Sequence, residues 1–108
     1  MPTVLMVERG GVAVAEIEAE WEAVLREAAS ATAVRDAVSK RDGDPDALAN
    51  ASVEARPYEG DGGVTILITI GTTVATHILM GLWDDHVRPR LRKKYERDAG
   101  AARERVTQ

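Results

Sequence analysis

The chain has 108 residues, room for a single core, and its 44% apolar and 30% charged content is that of a folded globular domain rather than a disordered one. It has no Cys, which excludes disulfides, thiolate metal sites and cysteine nucleophiles. The net charge of −4 is unevenly spread: residues 1–63 carry 13 acidic against 6 basic side chains, a net of −7, and residues 64–108 carry 5 against 8, a net of +3. Such a division invites the halves to meet, within one molecule or between two, or the basic end to dock on an anionic surface.

Aromatic residues are limited to Trp21, Trp83, Tyr58 and Tyr95, so the core must be built of Val, Ile, Leu and Ala. Seventeen Ala, and eleven Arg against three Lys, fit the coding bias of a GC-rich bacterium. The first residues lack a basic n-region and their apolar run is only Val4 to Val7, so no secretory signal is read there and a cytoplasmic location is expected.

Residues 3–8 form a short apolar run ended by Arg9-Gly10-Gly11 and predict a strand. Residues 12–15 fit either a returning strand or the start of a helix. Residues 16–29 predict an amphipathic helix, with Ile17, Trp21, Val24, Leu25 and Ala28 on one face and acidic residues crowding its first turns. Ser30 and Thr32 offer caps for a continuation to about Lys40. Asp44 before Pro45 predicts the N-terminus of a short helix over 46–50. Residues 52–58 predict an edge strand because Pro57 lacks a ladder donor. The Gly-rich loop 59–63 suits a hairpin turn into a strand at 64–70, where Val64, Ile66, Ile68 and Ile70 alternate with Thr65, Leu67 and Thr69.

Gly71 breaks that pattern, and Thr72 or Thr73 can cap a C-terminal helix over 73–98. Its wide apolar arc holds Val74, Ala75, Ile78, Leu79, Leu82, Trp83 and His86, with Met80 and Val87 at the margins. Pro89 should kink it, because the ring clashes with the carbonyl four residues back. The expected architecture is therefore one α+β domain over 1–100: a small antiparallel sheet of strands 3–8, 52–58 and 64–70, an acidic helix 16–29, and the kinked helix. Residues 101–108 are expected to fray.

A rival reading takes Val64 to Trp83 as one membrane-spanning helix. The stretch is 20 residues long, holds no Asp, Glu, Lys or Arg, and is followed by a basic cluster that would place the C-terminus in the cytoplasm. Its threonines, its period-two alternation, Gly71 and His77 near mid-span weigh against it.

Catalytic and metal chemistry finds little purchase. His77 and Asp84 share a polar stripe but stand seven residues apart, about 10 Å along a helix axis, too far for a hydrogen bond. A metal site from His77, Asp84, Asp85 and His86 would need two helices to converge. Asp42, Asp44 and Asp46 resemble the start of a calcium loop, but Ala47 and Val53 stand where Gly and Glu belong. No cofactor motif is present, and no enzymatic activity is expected.

Two binding features remain. Arg88, Arg90, Arg92, Lys93, Lys94 and Arg97 place six basic residues in ten, a possible anion or nucleic-acid surface that the overall negative charge disfavours. Ile78, Leu79, Leu82, Trp83 and His86 form the apolar face expected to meet a protein partner or a second copy. The functional expectation is a non-enzymatic interaction or assembly module.

Overall fold

In the computed structural model, residues 2–60, 62, 64–95 and 102–104 are described, and every structural statement below concerns these. Ten elements follow in order. They are strand β1 (Thr3–Glu8), helices α1 (Val14–Glu27), α2 (Thr32–Ser39) and α3 (Pro45–Ala49), and strands β2 (Val53–Pro57) and β3 (Thr65–Ile70). Helix α4 (Thr76–Leu82), a π-helical turn (Trp83–Val87), helix α5 (Arg88–Tyr95) and strand β4 (Ala102–Glu104) complete the chain.

The sheet is antiparallel throughout, with strand order β2-β3-β1-β4. The α+β class and the three expected strands are as the alternation implied. With its helices grouped between strands, the connectivity is βαββαβ, the split βαβ arrangement. Pro57 ends the edge strand β2, where its missing N–H costs no ladder bond. Part of the segment expected to fray does not: Ala102–Glu104 pairs with Leu5–Val7 of β1.

Gly10 and Gly11, at φ of 58° and 81°, turn the chain out of β1, and the Val12 N–H donates to the Arg9 carbonyl at 2.9 Å. That turn leaves no second strand, so residues 14–15 open α1. The predicted stripe of α1 is fully buried at Ile17, Trp21, Val24, Leu25 and Ala28. The helix ends at Glu27 rather than running on, and Ala31, not Ser30 or Thr32, takes the cap position of α2. Arg35 reaches back from α2 to the Ala28 carbonyl at 2.7 Å, satisfying an acceptor that the end of α1 leaves free. Asp44 caps α3 as expected, its carboxylate accepting from the N–H groups of Asp46 at 3.0 Å and Ala47 at 3.4 Å.

The C-terminal helix starts three residues later than the sequence suggests. Thr72 and Thr73 do not cap it; Ala75 does. The cause is tertiary. The Thr3 hydroxyl accepts from the Val74 N–H at 2.9 Å and lies 3.1 Å from the carbonyls of Thr72 and Val74, so β1 holds this segment extended. Further on, the chain stays helical through Pro89. The π-helical turn just before it widens the backbone where the proline ring would meet a carbonyl and where its N–H is missing.

One core serves the whole domain. Leu5, Val7, Ile66, Ile68 and Ile70 project from one side of the sheet into a cluster with the buried residues of the helices. The Cα envelope measures 36 × 35 × 19 Å, the dimensions of one helix layer on one sheet. The opposite side of the sheet has no helix on it.

Candidate interaction surface

The helix face singled out from the sequence is inside this core. Leu79, Leu82 and Trp83 are completely buried and Ile78 nearly so, while His86 is half-buried. Trp83 stacks on Trp21 of α1 with ring centroids 6.2 Å apart and planes 10° from parallel. The wide apolar arc is thus covered by the chain's own helix and sheet, and the expectation that it awaits a partner is corrected.

The basic segment is divided: Arg88 and Arg90 are half-buried, while Arg92, Lys93 and Lys94 are exposed. Arg90 grips both carboxylate oxygens of Glu27, one at 2.8 Å, and the Lys94 ammonium lies 3.7 Å from Glu20. These pairs join α5 to the acidic helix α1, so the two oppositely charged halves meet within one molecule. The Arg90 guanidinium holds the Glu27 carboxyl below its ordinary value, and Glu27 in turn raises Arg90. Burial, followed by the nearby positive charge of Arg90, lowers His86. Arg88 and Arg92 have partners of their own, Lys93 is exposed, and Arg97 lies outside the described residues.

The weaker chemical candidates dissolve into structural contacts. His77 Nε2 lies 3.1 Å from the Arg41 carbonyl, and Arg41 pairs with Asp85 at 2.9 Å. Asp44 is occupied as a cap and Asp46 pairs with Arg35 at 2.9 Å, so the calcium-like spacing is a capped turn. Among the described residues no three His, Asp or Glu side chains are grouped to hold a metal. Val64–Trp83 is a strand, a pinned loop and the start of a helix, and no helix of the described residues is long and apolar enough to cross a membrane.

A cavity of about 210 Å³ lies between the start of α3 and the segment leading into α4. Asp42, Asp44, Thr72 and Thr73 line it together with apolar residues such as Leu48 and Ile78. Its carboxylates would favour a cation, while the start of α3 beside them favours an anion. The geometry therefore selects no ligand charge.

What the fold leaves uncovered is the helix-free side of the sheet. Strand register places its residues in rows. Val4, Thr69 and Glu54 lie side by side across β1, β3 and β2; Arg103 of β4, Met6, Leu67 and Arg56 form the next row on the same side, Arg56 pairs with Glu54 at 3.0 Å, and Thr65 further along this side of β3 is buried. Val4, Met6 and Leu67 are half-buried on the inner strands, while Glu54 and Arg56 are exposed on the edge strand. A shallow groove bounded by Arg56, Pro57, Tyr58, Glu59, Gly60 and Leu67 continues this face toward the hairpin turn. The signal for it was in the sequence: a strand covered on one side only should carry polar residues at alternate positions, and β1 carries Val4 and Met6 there.

The fold and surface together define a small two-layer α+β domain with one open sheet face. Comparison with protein-family models, curated proteins and solved structures finds no match for this chain.

Proposed function

We propose that the chain is a non-enzymatic interaction module that docks a protein partner on the helix-free face of its sheet. One observation carries this reading: Val4, Met6 and Leu67 form an apolar centre that no helix of the described residues covers, flanked by the Glu54–Arg56 ion pair on β2 and by Arg103 on β4. An apolar centre with a charged rim is the usual anatomy of a protein interface. The titratable groups whose environments shift them, Glu27, His86 and Arg90, are explained by the bridge between α1 and the C-terminal helices, and none of them lines either cavity described above. Perturbed groups converging on a cleft would instead have favoured catalysis.

A photo-crosslinking amino acid at position 67 tests the reading. It should give one discrete protein adduct at native expression level, and the same group at position 84, an exposed site on the helix side, should give none. Absence of an adduct at position 67 overturns the proposal.

A further inference from the structure

The edge of the sheet carries an unmet requirement of its own, separate from the open face. β2 has β3 on one side and no strand on the other. The Gly71 N–H donates to the Ser52 carbonyl and the Tyr58 N–H to the Thr65 carbonyl, both at 2.9 Å. With that register Ser52, Glu54, Arg56 and Tyr58 bond toward β3. The backbone groups of Val53, Ala55 and Pro57 therefore point outward, Pro57 offering its carbonyl alone. We propose that this edge pairs antiparallel with β2 of a second copy of the chain, about a two-fold axis through Ala55, joining the two sheets into one.

Any extended strand meets the backbone requirement of an edge, so the choice of occupant rests on side chains. Val53-Glu54-Ala55-Arg56-Pro57 reads apolar, acid, small, base, apolar, and is complementary to its own reverse. With the axis at Ala55, Glu54 lies opposite Arg56 of the partner subunit, and Arg56 opposite Glu54 of the partner subunit. These are non-hydrogen-bonded pairs, about 4.5 Å apart at Cα, the closer of the two cross-strand spacings. The ion pair made within the chain, Arg56 to Glu54 at 3.0 Å, stays in place and becomes one side of a ring of four alternating charges. Ser52 falls opposite Tyr58 and Ala51 opposite Glu59, so the seam brings no like charges together. Arg103 and Glu8, also on this side of the sheet, stand on β4 and β1, away from the seam.

The backbone favours the same register. The Ala55 N–H donates to the Ala55 carbonyl of the partner subunit, the Val53 N–H to the Pro57 carbonyl of the partner subunit, and each bond occurs twice, as an isologous contact requires. The N–H that Pro57 lacks is missed only at the two ends of the seam. Centred on Glu54 or on Arg56, the axis would set that residue against its own copy, like charge on like charge. Centred on Val53, it would call on Ala51, whose N–H already donates to the Leu48 carbonyl and whose carbonyl accepts from Arg26. Centred on Pro57, it would oppose two residues without an N–H.

Charge at longer range opposes the pairing. Each copy carries a net −4, and Glu18 and Glu22, at four-residue spacing from Arg26, add acid on the helix side of β2. At about 0.15 M salt the ~8 Å Debye length screens such separated charges, while the backbone bonds and the facing ion pairs act at contact. Five residues per strand make a small seam, so the dimer should dissociate on dilution.

Sedimentation equilibrium and residue-resolved hydrogen exchange of the full chain test the inference together. The wild type should sediment as a reversible dimer at the concentrations used for exchange. The Val53 and Ala55 amides should be protected there and lose protection on dilution, whereas those of Glu54 and Arg56, which face β3, keep it. Ala55→Pro removes an N–H that makes no bond to β3 and leaves the Glu54–Arg56 pair intact. It should weaken the dimer about tenfold or more while the helical circular dichroism stays that of wild type. Glu54→Arg and Arg56→Glu should each weaken association, and the double variant Glu54→Arg/Arg56→Glu should restore it. A chain that stays monomeric overturns the proposal. So does a dimer whose Val53 and Ala55 amides exchange freely, or one that a folded Ala55→Pro variant forms equally well.

Discussion

Trp21 and Trp83 show how one residue pair can fix two helices. They are the largest buried side chains, they come from α1 and the C-terminal helical run, and they stack nearly parallel at 6.2 Å between ring centroids. Trp83→Ala should cost about 3–5 kcal/mol, the usual range for removing a buried aromatic. Against the ~5–15 kcal/mol available to a domain, that is enough to unfold much of the population at 37 °C. Urea denaturation followed by circular dichroism measures the loss directly. A folded Trp83→Ala protein with wild-type midpoint would contradict its place in the core. Trp21 carries a further cost: its buried indole N–H has no acceptor among the described residues. An unsatisfied buried donor costs about 1–3 kcal/mol. Trp21→Phe removes that donor while keeping most of the ring, so it should destabilise clearly less than Trp21→Ala, with the same denaturation midpoints as the measure.

At the scale of elements, the bridge between α1 and the C-terminal run makes stability pH-dependent in one direction. His86 titrates below its ordinary 6.5 in the folded chain, so as pH falls past 6.5 the unfolded chain takes up the proton first and folding stability drops. Glu27 titrates below its ordinary 4.5, so its pairing with Arg90 contributes above that value and is lost as pH falls through the lower folded value. Acid therefore weakens the fold in two successive windows. Urea midpoints across pH should show His86→Gln flattening the upper step and Glu27→Gln the lower one. Identical profiles for wild type and variants would show that the bridge is not what titrates.

Much at this scale could be read from the chain alone. The stripe of α1, the alternation of β3, the Asp44-Pro45 start of α3 and the edge position of Pro57 are local signals, each set by a period or a cap. What escaped was tertiary: Thr3 holding 72–74 extended, Arg35 closing the end of α1, and the π-helical turn. That turn has a packing consequence. Leu79, Trp83, Val87 and Leu91 recur every four residues, and in an uninterrupted α-helix such a stripe drifts by about 40° per step. A wider turn between Trp83 and Val87 reverses the drift, so all four stay buried while His86 swings partly outward. The misjudged interface has the same kind of cause. Period and hydropathy show that an arc is buried; they do not show whether its own chain or another covers it.

For the whole molecule, the strand that frames β1 decides how the sheet meets its surroundings. β4 contributes only Ala102–Glu104, paired to Leu5, Met6 and Val7, yet it turns β1 from an edge into an inner strand. A chain truncated after residue 100 keeps the β2-β3-β1 ladder and all the residues of the core cluster, so it should still fold. It would, however, present β1, with the aliphatic run Val4–Val7, as an unpaired edge with free N–H and C=O groups, a template for edge-to-edge pairing. Hydrogen exchange should show lost protection at Met6, whose N–H faces β4, and retained protection at Leu5 and Val7, whose N–H groups face β3, and in β3 itself, whose two neighbours are unchanged. Light scattering should show growth into open-ended aggregates, which differ from a closed dimer in having no fixed mass, because edge pairing of this kind does not close on itself. Equal protection of β1 with and without residues 101–108 would mean that β4 does not guard the sheet, and the two sides of the molecule would then be open at the edge as well as at the face.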